Sequence, residues 1–169
     1  MYEIFGAKGS IKNTSSFLDK ITVFSKKNDV VIQVFDSDVI FGKKHIITSI
    51  NHALRSIEQK KNTTNSIAME IMLYTSGERQ LKLAIPKMGI KNYTKKIAFI
   101  IINNKMKIAN NLIEELLKFL SLKRCDLVLD CNEKYLKKFG IGEKETKTIS
   151  KNNYEKLVIE KVALIDILK

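Results

Sequence analysis

The sequence contains few residues that interrupt or cross-link a fold. It has one proline, no Gly/Ser-rich tract and no internal repeat, so no linker is visible and we expect a single domain over residues 1–169. The two cysteines, Cys125 and Cys131, have neither a metal-binding nor a redox spacing. We interpret them as ordinary thiols in a reducing cytosol, with a disulfide as the alternative for a hyperthermophile.

Long hydrophobic runs are also missing. The longest purely apolar run is Ile97–Ile102, far shorter than the ~20 residues that a membrane helix needs. Residues Met1–Ile4 lack both the basic and the apolar region of a secretory signal. We therefore expect a soluble, cytoplasmic protein without a membrane partner.

Carboxylates are scarce relative to cations. Asp and Glu number 18 against 30 Lys and Arg, which gives a net charge of +12. A thermophilic composition would raise Glu together with Lys, and Glu is not raised here. The excess of positive charge favours an anionic partner. Nucleic acid is preferred to a membrane because no strongly basic amphipathic helix stands out.

Hydrophobic patterns predict strands that alternate with helices. Mostly apolar stretches predict strands at Tyr2–Ala7, Val30–Phe35, Ile97–Ile102 and Leu127–Leu129. Apolar residues at helical spacing predict helices that begin near Ser15 or Ser16, Lys43, Ser66, Ser76, Leu112, Asn132 or Glu133, and Lys151. This order predicts an α/β (α+β) fold, a single layered domain with a mixed central β-sheet and helices that include a central helical hairpin region.

Capping residues indicate where some of these helices begin and end. We expect Ser66 to cap a buried helix over Ile67–Thr75, and Ser76 to cap the helix that follows. Gly89 is expected to end that second helix in the left-handed conformation, and Gly140 to end a short later helix.

Catalytic motifs are absent. His45 and His52 are seven residues apart on one predicted helix, so ~10 Å separates them and they cannot bind one metal ion together. Gly140–Lys144 follows a helix and lacks the Gly-Lys-Ser/Thr ending of a phosphate loop. Asp36 and Asp38 suit a Mg²⁺ ion, but hydrogen bonding to turn amides is their usual use. We expect no enzyme activity, metal, cofactor or small-molecule substrate; a Ser or Lys nucleophile assembled from distant segments stays open.

The middle of the chain matches a known family pattern. The matching segments are, in order, Ala53–Glu58, Asn62–Asn65, Met69–Leu81, Ala84–Ile85 and Lys87–Ile90. Together they resemble the PRPK-binding-protein family, the small accessory subunit of the KEOPS (EKC) complex. The order of the flanking elements also fits, so the resemblance extends over most of the chain.

The resemblance implies a mixed α/β fold without catalytic activity of its own. Members of the family bind the atypical kinase/ATPase subunit of KEOPS, which makes threonylcarbamoyl-adenosine in tRNA, and archaeal members help to hold the 3′ CCA end of tRNA. Pro86 departs from the pattern, because proline removes the amide that would bond to the carbonyl of Lys82. We expect the helix around it to kink or end early.

The last predicted helix is apolar around most of its circumference. From Leu157 to Leu168 nine of twelve residues are apolar, more than a helix that covers its own core needs. Either the helix is wholly buried or its outer side meets another protein, and we favour the partner. The candidate contacts with the kinase subunit are Leu157, Val158, Lys161, Leu164, Ile165 and Leu168.

A set of cations surrounds the family motif and is expected to bind RNA. Single-stranded RNA needs cations for its phosphates and planar groups for its bases, and Tyr74, Tyr93 or the Arg79 guanidinium is the candidate planar group. The alternative for any one of these cations is that it is a solvated side chain without a ligand. The candidate tRNA-binding residues are Arg55, Lys60, Lys61, Arg79, Lys82, Lys87 and Lys91.

These observations predict a non-catalytic KEOPS subunit that binds both the kinase/ATPase subunit and tRNA. The alternatives are a stand-alone basic RNA- or DNA-binding module, a kinase regulator without nucleic-acid contact and, last, an unrecognised enzyme.

Overall fold

The computed structural model describes residues 1–103, 105–130, 136–137, 139–148, 150 and 153–168. The chain divides into two compact units, one formed by Met1–Ser37 and Ile90–Leu129 and the other by Asp38–Gly89 and Asp130–Lys169. The expectation of a single domain stays a prediction.

The regular structure of the described residues includes four strands and seven α-helices. The strands are β1 (Tyr2–Lys8), β2 (Val31–Asp36), β3 (Lys96–Ile102) and β4 (Lys123–Arg124). The helices of the described residues are α1 (Thr14–Asn28), α2 (Gly42–Glu58), α3 (Ile67–Ser76), α4 (Leu81–Met88), α5 (Asn110–Phe119), α6 (Glu143–Lys147) and α7 (Tyr154–Leu168).

The first unit contains the sheet, whose strand order is β2-β3-β1-β4. The α+β class is confirmed, but every described pairing is antiparallel, whereas a mixed sheet was expected. The run Ile97–Ile102 is buried throughout, as its lack of alternation predicts for a strand covered on both faces.

One face of this sheet packs against α1 and α5. Its core includes the stacked rings of Phe5 and Phe99, whose centroids are 5.0 Å apart. Helix α1 is capped two or three residues earlier than expected, because the side chain of Asn13 accepts the amide hydrogen of Ser16 and acts as the cap. Ser15 and Ser16 are therefore not the capping residues.

The second unit is helical, and α3 contacts α2, α4 and α7. Helix α3 is buried on nearly every side, since Ala68 and the seven residues from Glu70 to Ser76 are all buried. This agrees with the apolar pattern of the sequence. Ser66 caps α3 by accepting the amide hydrogen of Met69.

Two helix boundaries in this unit differ from the prediction. Ser76 ends α3 and does not begin α4. Gly77, at a φ of 67°, closes α3 by donating its amide to the carbonyls of Leu73 and Tyr74. Gly89 has a φ of −69° and is not left-handed.

Pro86 lies inside α4, which continues to Met88. The expected early end of the helix at proline is therefore wrong. Both Pro86 and Lys82 are exposed, so the surface position allows water to hydrogen-bond the carbonyl of Lys82 in place of the missing amide.

Two predictions concern the region around residue 130. Leu127–Leu129, predicted as a strand, belongs to a 3-10 helix over Asp126–Leu129. The predicted helix start at Asn132 or Glu133 lies outside the described residues. Gly140 has a φ of 70°, the left-handed conformation that the sequence predicts.

Candidate functional site

A carboxylate on the terminal helix joins three helices of the second unit. Asp166 of α7 accepts the phenol hydrogen of Tyr74 on α3 at 2.5 Å and the guanidinium of Arg55 on α2 at 2.6 Å. The Nδ1 atom of His52 lies 2.7 Å from the same carboxylate and 2.7 Å from Arg55. The tautomer of His52 therefore decides whether it donates to Asp166 or accepts from Arg55.

The electrostatics of this cluster keep Asp166 ionised and Tyr74 neutral at pH 7. Burial by itself raises the pKa of Asp166, but the hydrogen bonds from Tyr74, His52 and Arg55 outweigh burial and hold the pKa below its usual value. Burial first, and then the hydrogen bond to Asp166, raise the pKa of Tyr74 well above its usual value. Tyr74 is thus a fixed donor to a charged acceptor.

A cleft of about 490 Å³ opens beside this cluster. It is lined by Arg55, Ser56, Gln59, Lys61, Tyr74 and Asp166. Its volume lies within the range of small-ligand sites, and its polar groups include two cations, an amide and a carboxylate. Such a cleft suits a ligand that carries an anion together with hydrogen-bonding edges.

The turn at one end of the cleft is held by a buried carboxylate. Glu70 is fully buried and accepts the amide hydrogens of Thr63 and Thr64 at 3.1 and 3.0 Å. Lys60, at a φ of 55°, and Lys61, whose amide donates to the carbonyl of Ser56 at 2.8 Å, enter this turn. Glu70 therefore fixes the backbone that presents both lysines.

The structure brings together some of the cations predicted to bind tRNA. Arg55 and Lys61 line the cleft, and Lys60 is exposed beside them in sequence. Arg79 and Lys82 are also exposed, but Arg79 lies before α4 begins. Arg79 and Lys82 are therefore not presented by one helix.

Lys87 and Lys91 do not line the cleft. Lys87 pairs with Glu78 at 2.9 Å, and its ammonium lies 4.8 Å from the centroid of the Phe139 ring. It is only 16% exposed, so its charge is used within the fold. Lys91 belongs to the first unit.

The candidate planar groups also differ in accessibility. Tyr74 is fully buried and cannot stack on a base, whereas Tyr93 is 73% exposed. The Arg79 guanidinium is at the surface. The expectation that Tyr74 stacks on RNA is therefore wrong, and its contribution to the cleft is its hydroxyl group.

The predicted kinase contacts on α7 separate into an inner and an outer set. Val158 and Ile165 are 0% and 1% exposed, so these two face the core of their unit and cannot meet a partner directly. Leu157 is half-buried, Lys161 lies 3.6 Å from Glu145, and Leu164 is exposed. The side chain of Leu168 lies outside the described part of the chain.

Sequence reasoning missed two residues of this site. Ile167 is 78% exposed and was not among the kinase contacts, although it lies in the same apolar stretch. Asp166 lies in the same stretch and was not among the candidate site residues. A lone carboxylate within an apolar helix, opposite a His and an Arg at i, i+3, was the available signal.

The two histidines have separate roles. His45 is fully buried, accepts the amide hydrogen of Phe41 at Nδ1 and donates from Nε2 to the carbonyl of Thr75 at 2.9 Å. Burial lowers the pKa of His45 to about 4; the hydrogen bond to Thr75 opposes this shift and the charge of Lys87 adds to it. His45 is therefore a neutral core residue.

Within the described residues, no three His, Cys, Asp or Glu side chains are placed to hold a metal ion. Asp36 and Asp38, the candidate Mg²⁺ ligands, each have an interaction partner. None of the described helices has the length and apolar character needed to cross a membrane.

Comparison with known proteins identifies the family. The family model described as kinase binding protein CGI-121 matches residues 9–166. The chain belongs to this family. The resemblance seen in the sequence is thereby confirmed, and the family's description is that of a kinase-binding protein.

A curated relative of this CGI-121 family member is the regulatory protein Cgi121 of Methanocaldococcus jannaschii. The two are 38% identical over 60 residues, which cover 36% of this chain and 39% of the relative. The aligned segment thus spans about two fifths of the relative's length.

Proposed function

We propose that this protein is a non-catalytic, cytoplasmic subunit of the KEOPS complex for tRNA threonylcarbamoyl-adenosine biosynthesis. In this role it binds the atypical kinase/ATPase subunit and the 3′ CCA end of tRNA. The observation that carries the proposal is the match of the kinase-binding family over residues 9–166. The net charge of +12 and the cation-lined cleft support the RNA part of the proposal.

The cleft has the chemistry that an unpaired nucleotide requires. Arg55 and Lys61 supply positive charge for a phosphate, and Arg55 adds a planar fork of donors. The amide of Gln59 and the carboxylate of Asp166 offer acceptors for the exocyclic amino groups of cytosine and adenine. These groups fit an RNA end rich in such bases.

The outer side of α7 supports the protein-binding part of the proposal. Leu164 and Ile167 are 38% and 78% exposed, although Val158 and Ile165 already give the helix an inward apolar stripe. Apolar residues on both sides of one helix are typical of a helix that also contacts a partner. The kinase contacts proposed are therefore Leu157, Lys161, Leu164 and Ile167.

Size-exclusion chromatography with each partner separately tests the proposal. We expect the purified protein to co-elute with the kinase subunit, to co-elute with tRNA, and to lose most of its tRNA binding when the CCA end is removed. Co-elution with the kinase alone would favour a regulator without nucleic-acid contact. Co-elution with any RNA and with no kinase would favour a stand-alone binding module.

A further inference from the structure

Lysines face one another across three strands at one end of the sheet in the first unit. Lys8 on β1 is directly opposite Lys96 on β3 and directly opposite Lys123 on β4. Directly opposed residues of antiparallel strands point to the same face, with Cβ atoms about 5 Å apart, and like charges in this arrangement destabilise the sheet. An anion near Lys8 and Lys123 would relieve this repulsion.

The row of lysines continues beyond the regular strands. The amide of Gly9 donates to the carbonyl of Lys95 at 3.0 Å, and the amide of Ile11 donates to the carbonyl of Thr94 at 3.2 Å. These bonds extend the β1–β3 pairing into the following loops. We name segments Lys8–Lys12, Lys91–Lys96 and Lys123–Arg124 together the lysine ladder.

The charge of the lysine ladder is only partly neutralised by its surroundings. The ladder contains seven cationic side chains and no carboxylate. Arg124 pairs with Asp126 at 3.3 Å and Lys96 also has a partner, but the remaining lysines have no carboxylate partner among the described residues. Lysines on edge strands prevent aggregation, which accounts for Lys123 on β4 but not for Lys8 on the inner strand β1.

The lysine ladder contains an aromatic side chain that is exposed to solvent. Residues Lys91–Thr94 form a turn closed by the amide of Thr94, which donates to the carbonyl of Lys91 at 3.0 Å. Tyr93 occupies this turn at a φ of 69°, a left-handed conformation that is unfavourable for a bulky residue. Its side chain is nevertheless 73% exposed.

The turn that carries Tyr93 is anchored to the fold. The side-chain oxygen of Asn92 accepts the backbone amide and the hydroxyl hydrogen of Thr14 at 2.9 and 2.8 Å. The amide of Tyr93 donates to the carbonyl of Ile11 at 2.6 Å. A fixed aromatic ring surrounded by cations is the arrangement that binds unpaired bases together with their phosphates.

We propose that the lysine ladder of the first unit binds RNA phosphates outside the CCA end and that Tyr93 stacks on an unpaired base there. The inference rests on the proposed function, because RNA is the polyanion which that function supplies. A membrane surface fits less well. Tyr93 is the one large hydrophobic side chain that these fully described segments expose, and interfacial binding needs a buried apolar face.

The test compares variants of the full chain by fluorescence anisotropy with labelled tRNA, intact or trimmed of its CCA end, at several salt concentrations. The pair Lys8→Ala with Lys123→Ala is expected to make the log–log salt slope shallower by about 1.4 on single-stranded and about 1.8 on duplex RNA. The effect is expected to be equal for both tRNAs. Lys27→Ala with Lys107→Ala, two exposed lysines of the same unit, is the matched control and should change the slope little.

The aromatic contact is tested by two substitutions at one position. Tyr93→Ala is expected to weaken binding about tenfold, which is a usual loss for a stacked base. Tyr93→Phe keeps the ring and should bind like the original protein. Equal binding by both variants, with unchanged melting temperatures, would remove Tyr93 from the interaction.

Three results would overturn the inference. The first is a control pair that changes the slope as much as the ladder pair does. The second is a ladder pair that weakens binding to intact tRNA but not to trimmed tRNA. The third is a ladder pair that binds RNA normally but no longer binds anionic phospholipid vesicles. Other results would contradict the proposed function. It requires that the original protein binds tRNA. It also requires that the cleft variants Arg55→Ala and Lys61→Ala weaken binding to intact tRNA more than binding to trimmed tRNA.

Discussion

The imidazole of His45 makes the stability of the second unit depend on pH. Its pKa in the folded protein is about 4, against about 6.5 in the unfolded chain. A lowered pKa means that the unfolded state binds the proton more readily, so the stability is complete above pH 6.5 and is lost as the pH falls through 4. The total loss is about 3 kcal/mol.

We therefore expect the free energy of unfolding to fall more steeply between pH 6.5 and pH 4 than in the variant His45→Gln. Urea denaturation at pH 7, 5.5 and 4.5 measures both proteins. The variant is less stable at pH 7 because its amide fits the aromatic surroundings of Phe41 and Phe139 less well. Parallel pH dependences for the two proteins would show that His45 is not the titrating group.

Single residues were predictable from the sequence where their partners are close in the chain. Ser66 caps the helix that follows it, as its position three residues before Met69 indicates. The pairing of Lys87 with Glu78 and Phe139 was not predictable, because a packed ring from far along the chain completes it. The hydrogen bond of Ser66 has a local sequence signature, and the pairing of Lys87 has none.

The outer side of α7 gives a prediction at the scale of one helix. We expect Leu164→Glu and Ile167→Glu to weaken kinase binding a hundredfold or more, on the order of 3 kcal/mol, because a carboxylate enters a desolvated apolar interface. Their melting temperatures should stay near that of the original protein. Affinity by titration calorimetry and circular dichroism provide the two readouts.

Ile165→Glu is the internal control for that helix. Ile165 is 1% exposed, so this variant is expected to unfold and to lose every activity together. Unchanged kinase affinity in both Leu164→Glu and Ile167→Glu would exclude the outer side of α7 from the interface.

Helix α4 gives a second prediction at this scale. Pro86 leaves the carbonyl of Lys82 without an intrahelical partner, so Pro86→Ala restores one hydrogen bond and improves helix propensity. We expect it to stabilise the protein by about 1–3 kcal/mol in urea denaturation. Lys82→Ala, on the same exposed side, is the comparison that should change stability little, and a destabilised Pro86→Ala would contradict the account of α4.

The elements were predictable where hydrophobic periodicity sets them. The burial of α3 and of β3 follows directly from apolar patterns without alternation. The boundary between α3 and α4 was not predictable, since Ser76 and Gly77 suit both the end of one helix and the start of the next. The short 3-10 helix over Asp126–Leu129 also escaped prediction, because three apolar residues carry no usable period.

At the scale of the whole molecule, tRNA binding is expected to depend on salt through the cations of the cleft. Arg55→Ala and Lys61→Ala should each make the log–log salt slope shallower by about 0.7 with intact tRNA. Arg79→Ala should weaken binding more than Lys82→Ala, because guanidinium can bind phosphate in bidentate fashion or stack on a base.

Trimmed tRNA completes this measurement. Variants at Arg55 and Lys61 are expected to have little effect on tRNA that lacks its CCA end. Equal weakening of both tRNAs, with trimming itself without effect, would reduce the cleft to a non-specific electrostatic surface and would remove the CCA assignment.

If both proposed binding events occur, the position of Asp166 on α7 couples them energetically. Leu164 and Ile167, which we propose as kinase contacts, lie within two residues of it on the same helix, while its carboxylate accepts a hydrogen bond from Arg55 at the cleft. A kinase that shifts α7 therefore changes how readily Arg55 is released to a phosphate, and tRNA must change kinase affinity by the same factor. Arg55 is 51% exposed, and an exposed ion pair of this kind contributes about 0.2–1 kcal/mol. The cooperativity between kinase and tRNA that passes through this contact is thus limited to about fivefold.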